Sequence, residues 1–257
     1  LDSVGPHTKI TFMAQPEGGN GWMFFSKSNG FPQGGMNDQG LFWEGASTPY
    51  RAIPSARQNR KQYTGVHIMQ KVMEECTSVD EAIAIFSEYY FLDLLDAQYI
   101  IGDRFGNAVV IEGDVMTRIT GNTQIITNFN YSDIDSGDQA EVIACSRYRT
   151  IQDLLSGEDL SIDLMRRALA ATHQEAEQAM TLYSAIYDLR NLRVHVYHFH
   201  NYENVVVLDL AEELAKGAHV LQLPELFPAT FAAEEYRRRY DANQQHTYRM
   251  PITNLIV

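Results

Sequence analysis

Cysteine is scarce: two thiols, Cys76 and Cys145, stand in 257 residues. That is too few for a disulfide framework, and no C-x-x-C pair points to a zinc or redox motif. The count allows one bridge, but both cysteines read better as free, buried thiols. Long hydrophobic runs are also missing. No stretch approaches the roughly 18–20 consecutive apolar residues of a membrane-spanning helix. Positive charge is short: 20 Lys and Arg stand against 33 Asp and Glu, a net charge of −13, with a pI near 5.0. This argues against a nucleic-acid partner, since phosphate binding needs a basic face. The one dense basic run, Arg237-Arg238-Arg239, follows two glutamates. The first residues, LDSVGPHTKI, carry neither the basic n-region nor the apolar h-region of a signal peptide, and leave the compartment open between periplasmic, secreted and cytoplasmic. No Gly-rich loop leads into a helix with a Lys, and no HExxH or EF-hand pattern occurs, so no cofactor and no metal is expected.

What is present is a folding composition. Apolar residues make up 45% and charged residues 21%, as in globular rather than disordered chains. A chain of this length buries roughly 70–75% of its unfolded surface and needs no staples. Residues 8–47 read as β structure. TKITFMAQ and GWMFFSKS are strands joined by the turn-rich PEGGNG; NGFPQGG reads as a second turn, and GMNDQGLFWEGAS follows. The glycine density suits strands whose backbones approach something closely. Residues 49–61 read as a loop.

From Gly65 the period changes. Val66, Met69, Val72 and Met73 predict a helix over about 64–75, and Ser78-Val79-Asp80-Glu81 is a capping box that starts a second. Residues 97–128 predict a four-strand meander: AQYIIGD, NAVVIEG, VMTRIT and TQIITNF. Helix returns over 139–155 and, capped by Ser161, over 161–171. TLYSAIYDL, RVHVYHF and NVVVLDL are three more strands. AEELAKG is a short helix closed by Gly217, PELFP a turn, and 230–240 a last helix. Strands come in antiparallel runs with tight turns, separated by helix pairs. The fold class is therefore α+β, two sheets whose outer faces carry helices. One domain over residues 1–257 is expected, with a helical tail from about 226.

Single residues carry little chemistry on their own. His198 and His200 share one face of a strand and His195 the other, but a metal site needs a third ligand, and Glu203 lies past the turn. Cys145 has Arg147 nearby, which would lower a thiol pKa. Val142, Ile143 and Ile151 at helical spacing nevertheless place it on an apolar helix face, buried and inert. Asn128 ends a strand, where its amide can meet an oxyanion or simply close a turn. Asn37 reads as a turn residue and Arg147 alone as a surface arginine.

The order of these signals is more specific than any one of them. GGMNDQGLFWEG resembles the GMNxxGL segment of the choloylglycine hydrolase and penicillin V acylase family. IITN resembles its LTN, and CSRYR its SRF/SRY segment. TLYSAIYDLRNLRVHVYHFHNYENVVVLDLAEEL resembles its C-terminal strand triplet. The likeness spans about residues 20 to 225, on the linear-amide side of the family near isopenicillin-N acyltransferase-like proteins.

The resemblance implies a four-layer αββα sandwich of the N-terminal-nucleophile hydrolase type. In that family an N-terminal Cys attacks an amide carbonyl, with its own α-amino group as base. An Asn completes the oxyanion hole, and an Arg and an Asp hold the nucleophile. By motif, Asn128 matches the Asn and Arg147 the Arg. Leu1-Asp2 matches the end of an RNxD-type segment, which makes Asp2 the candidate Asp. A second family Asn falls at Ser47 here. Ser47 is thereby placed at the substrate, with Phe42 and Trp43, and Phe24 beside them, as apolar wall candidates. No Cys precedes Cys76, so the nucleophile is not in this chain. The expectation is a hydrolase of linear, non-peptide amides, without cofactor, acting on a small-molecule amide as a homo-oligomer, with neither nucleic acid nor membrane as partner. The alternatives are a non-catalytic small-molecule-binding relative on the same fold and an unrelated structural subunit.

Overall fold

The computed structural model describes residues 5–15, 17–27, 30–52, 61–65, 67–90, 94–136, 144–157, 159–176 and 179–247. Asp2, Val142 and Ile143 lie outside them. Fifteen strands and seven α-helices follow in chain order among the described residues. The first strands are β1 (Lys9–Met13), β2 (Trp22–Ser26), β3 (Pro32–Asn37), β4 (Leu41–Ser47) and β5 (Lys61–Gln62). Helices α1 (Ile68–Glu75) and α2 (Val79–Glu88) follow, then β6 (Tyr89–Tyr90), β7 (Ala97–Asp103), β8 (Ala108–Glu112) and β9 (Val115–Arg118). Next come α3 (Asp133–Ser136), α4 (Ser146–Leu155) and α5 (Ile162–Thr172), then β10 (Glu175–Ala176), β11 (Ala179–Met180), β12 (Tyr183–Asp188), β13 (Arg193–His198) and β14 (Asn201–Asp209). The chain closes with α6 (Leu210–Leu214), β15 (His219–Gln222), a 3-10 turn (Leu223–Leu226) and α7 (Phe231–Thr247).

The large sheet has eight antiparallel strands in the order β15-β1-β2-β3-β4-β7-β8-β9; β12-β13-β14 form a second antiparallel sheet. Strand alternation explains why both faces of the large sheet are apolar. Trp22, Leu41, Trp43, Tyr99, Ile101, Val109 and Ile111 face one way and bury against Ile68, Met69, Val72 and Met73 of α1 and Val79, Ala82 and Phe86 of α2. Ile10, Phe12, Met23, Phe25 and Met36 face the other way and pack on Val194, Val196 and Leu208 of the second sheet. Beneath that sheet, Ile186, Tyr197 and Tyr202 meet Met165, Leu169 and Ala170 of α5. The layers thus run helix, sheet, sheet, helix, as the α+β sandwich expectation requires. Each fully buried Phe or Leu contributes about 1.5–3 kcal/mol to holding these layers together.

Polar side chains lock the layers in register. Asn37, fully buried, donates Nδ2 to the carbonyls of Met73 (2.9 Å) and Cys76 (2.8 Å), closing the end of α1. Its Oδ1 accepts from the backbone N–H of Gln39 and Leu41, which turns β3 into β4. Asn20 donates to the same two carbonyls. The Asn of the GMN segment is therefore a pin between sheet and helix, more than a turn residue. Ser78 caps α2 by accepting from Glu81 N–H, while Glu81 reaches back to Thr77 N–H. This is the reciprocal cap read from the sequence.

Three sequence expectations change. Residues 32–35, within the NGFPQGG expected as a turn, form β3. A Cβ at Gly34 would come within 2.1 Å of the Glu44 carboxylate, and one at Gly35 within 2.2 Å of the Met23 carbonyl. These glycines serve close approach inside a strand, not a bend. Residues 123–129, expected as a fourth meander strand, form no strand; they are held by side chains, as described below. Strand β15 has no expectation in the sequence reading and pairs with the outer edge of β1. The first helix starts at Ile68 because His67 caps it, its Nδ1 accepting from Met69 N–H.

Candidate active site

The segment after β9 leaves the sheet edge and is caught by a buried glutamine. Gln98, on β7 and fully buried, donates Nε2 to the carbonyls of Thr127 (2.8 Å) and Phe129 (2.9 Å). Its Oε1 accepts from Tyr131 N–H at 3.2 Å. The main chain on both sides of Asn128 is thereby fixed without strand pairing. Next to it, Arg51 bridges Glu112, Ser132 and Asp133, and Glu112 also accepts from Ser132 N–H. Neither Gln98 nor Arg51 is a motif residue. The available signal for Gln98 is an amide inside the otherwise apolar strand AQYIIGD, since a buried amide needs partners.

Asn128 and Arg147, nineteen positions apart, meet directly. Arg147 Nη2 donates to Asn128 Oδ1 at 2.9 Å, and Asn128 Nδ2 donates to the Ser47 carbonyl at 2.8 Å. These partners settle the orientation of the amide, because a guanidinium can only donate and a carbonyl can only accept. One Nδ2 hydrogen is used on Ser47, which leaves the second for another acceptor. Ser47 enters through its backbone, so it supplies no second amide donor. Helix α4 is zipped to this segment by the Phe129 and Tyr148 rings, edge to face at 5.2 Å. Thr127 Oγ1 lies 3.3 Å from Cys145 Sγ.

Cys145 corrects its expectation. It is half-buried and sits at the N-cap of α4 rather than on an apolar helix face. Burial pushes its thiol up. The Thr127 hydroxyl, the backbone N–H of Tyr148, the Arg147 charge and the Arg147 N–H together outweigh burial, and the thiol ends below its ordinary value. Cys76 is buried as expected, and burial raises its thiol to about 12.

The aromatic candidates separate. Trp43 is 1% exposed and belongs to the core under α1. Its edge borders a cleft of about 410 Å³ that Ser47 also lines, together with Phe31, Tyr99, Lys27 and Gln33. Phe42, one residue away on the strand, faces the opposite layer. It packs on Tyr187 (ring centroids 5.6 Å) and lines a separate cavity of about 640 Å³ between the sheets. Phe24 stacks on Trp22. Trp43 and Ser47 therefore share a cleft that Phe42 does not join.

Glu44, which the sequence reading passed over, lines both that inter-sheet cavity and a neighbouring one of about 500 Å³. Burial pushes its carboxyl up to about 8, against hydrogen bonding from Gly45 N–H and Tyr187. The histidines also part. Strand β13 ends at His198, which stacks on Phe227, whereas His200 lies in the turn and packs on His173. The two do not share a strand face, because the strand stops before His200. Asp2 lies outside the described residues.

Against known proteins, the family model described as acyl-coenzyme A:6-aminopenicillanic acid acyl-transferase matches residues 6–202. No curated protein matches the sequence. Among solved structures, two variants of conjugated bile acid hydrolase from Clostridium perfringens are similar, both at 11% identity. One superposes with a TM-score of 0.60, covering 84% of this chain and 88% of that one. The other superposes at 0.64, covering 90% and 91%. Penicillin V acylase from Agrobacterium tumefaciens is similar at 12% identity and a TM-score of 0.62, with 84% of each chain covered. These superpositions extend over most of each chain, so the overall fold is shared, and the family match runs from just before β1 to the start of β14. The chain therefore belongs to the acyl-coenzyme A:6-aminopenicillanic acid acyl-transferase family, on an N-terminal-nucleophile hydrolase fold.

Proposed function

We propose that the protein is an amidohydrolase of linear, non-peptide amides that works by acyl transfer. The supporting observation is the chain of contacts from Arg147 through Asn128 to the Ser47 carbonyl, beside a cleft walled by Trp43, Phe31 and Tyr99. In this reading the substrate's acyl group enters the cleft. The second Nδ2–H of Asn128 meets the oxyanion that forms when a thiolate attacks the amide carbonyl. Arg147 keeps the amide from turning over and adds positive charge beside the developing anion. The nucleophile is the N-terminal Cys that the family resemblance implies, which this chain does not contain. Its α-amino group takes the thiol proton and returns one to the leaving amine, and water then releases the acyl group from the thioester.

The test uses the complete protein carrying that Cys. Asn128→Ala should lower kcat on a linear amide by about 10²–10³, the loss typical of one oxyanion donor. Arg147→Met should lower it through the freed Asn128 amide. Unchanged hydrolysis by Asn128→Ala removes the assigned role. Tight binding of acyl amides without turnover in the complete wild-type protein would instead support the binding-protein reading.

A further inference from the structure

Three metal-ligating side chains from two chain segments converge beside the turn between β13 and β14 of the second sheet. His173 is the residue that ends α5, Glu175 opens β10, and His200 lies in the two-residue turn between β13 and β14. His173 Nε2 lies 2.7 Å from Glu175 Oε1, and His200 Nδ1 lies 3.8 Å from the same oxygen. The ligand atoms all fall within 4.8 Å of one another. We propose that His173, Glu175 and His200 bind a divalent cation of the zinc class, which clips α5 and the β10–β11 hairpin to the β13–β14 turn.

Four features of the site support this. The donor set is two imidazoles and one carboxylate, which suits zinc-class ions and not calcium or magnesium, whose sites are built from oxygen. Tetrahedral zinc with bonds of about 2.0–2.2 Å holds its ligand atoms about 3.4 Å apart. The observed separations bracket that value, and Glu175, whose side chain is 67% exposed, is free to adjust. His173 is already oriented from behind, with Nδ1 against the Ala170 carbonyl at 2.6 Å. This bond keeps a proton on Nδ1 and fixes the ring, while Nε2 donates to Glu175 Oε1; a bound cation would displace that Nε2 proton and leave the Nδ1-to-carbonyl bond that orients metal-ligating histidines. His200 offers Nδ1 as its ligand atom, 3.8 Å from Glu175 Oε1. The preceding Phe199 holds a left-handed backbone (φ 55°) that is unusual for a bulky side chain, stacks on the His200 ring at 4.3 Å, and directs the turn toward His173. Solvent completes the coordination at the exposed side of Glu175.

The inference does not rest on the amidohydrolase reading, and its test uses no substrate. The full chain, stripped with a chelator, is titrated with Zn²⁺ while Tm is followed, and with Co²⁺ while visible d–d absorption is followed. The expected result is one ion per chain, a raised Tm, and a Co²⁺ band displaced by Zn²⁺. His173→Ala and His200→Ala should each weaken binding at least about tenfold. So should Glu175→Gln, which alters an exposed side chain and leaves folding intact. His195→Ala, His198→Ala and Cys145→Ala should bind as the parent does. Sub-stoichiometric binding, binding that survives Glu175→Gln and His173→Ala, or binding lost in Cys145→Ala overturns the proposal. If the His variants do not fold, Glu175→Gln alone decides it.

Discussion

The two cysteines should differ in reactivity by far more than their shared status as free thiols suggests. The thiolate is the species that alkylates. Burial raises Cys76 to about 12, whereas the environment of Cys145 brings it below the ordinary 9.0. The thiolate fractions at pH 7.5 therefore differ by at least three pKa units, about 10³-fold. Part of this is returned, because a more basic thiolate is intrinsically more nucleophilic. With a Brønsted slope of about 0.4–0.5 the return is roughly 15–30-fold. Cys145 should thus react with iodoacetamide at least about 30-fold faster from ionisation alone. The 2% exposure of Cys76 widens the gap. A timed alkylation of native protein, quenched and read by peptide mass spectrometry, measures both rates at once, and urea-unfolded protein gives the reference in which the two should converge. Thr127→Val should slow Cys145, since it removes the hydroxyl at 3.3 Å. Equal native rates, or a faster Cys76, would refute the assignment of a stabilised thiolate to the α4 N-cap.

Other expectations follow from buried polar groups. Glu44 is neutral when folded below about 8 and would ionise near 4.5 when unfolded. Its raised pKa therefore contributes stability that is complete below pH 4.5 and is lost as pH rises to 8. Because the side chain borders two cavities large enough to admit water, the loss should be on the order of 1–3 kcal/mol, less than the full linkage value. Glu44→Gln should be more stable than the parent at pH 8 and lack this slope in urea melts from pH 5 to 8; a slope that persists assigns it elsewhere. Gln98→Ala strands the carbonyls of Thr127 and Phe129 and the N–H of Tyr131. It should cost about 2–5 kcal/mol and, on the proposed amidohydrolase reading, lower kcat by releasing Asn128; an unchanged urea midpoint would contradict the clamp. Asn20→Ala should be mild, because Asn37 bonds the same two carbonyls. Asn20→Ala with Asn37→Ala should exceed the sum of the single changes, and a double-mutant cycle that adds would show the two do not share this work.

Much of the fold is legible because burial on a sheet or helix leaves a period in the sequence. The alternation of Trp22, Met23, Phe24 and Phe25 across two faces follows from β geometry, and the Ser78 and Ser161 caps announce their helices. What failed to show has a physical cause in each case. A glycine that bends a chain and one that lets a backbone pass close to Glu44 look alike until the neighbour is known. TQIITNF has strand composition, but its hydrogen bonds go to a side chain on β7, and pairing with a distant amide leaves no local pattern. Asn128 and Arg147 were found only through the order of four weak segments. His173 and Glu175 could not be joined to His200, because their meeting depends on how α5 packs under the second sheet.

The candidate site inherits its precision from the large sheet. The β4–β7 register pairs Ala46 with Gln98 and Ser47 with Ala97. One strand pair thus sets both anchors of Asn128: the Gln98 amide that fixes its backbone and the Ser47 carbonyl that receives its side chain. A slip of one residue would turn Gln98 to the opposite face of the sheet and break both contacts together. That register is held by the burial of Leu41, Trp43, Tyr99 and Ile101 under α1 and α2, and α1 is itself tied to the β3–β4 turn by Asn37. The Asn of the GMN segment and the Asn of the ITN segment are therefore coupled. The first fixes the layer on which the second is mounted, although they share no contact.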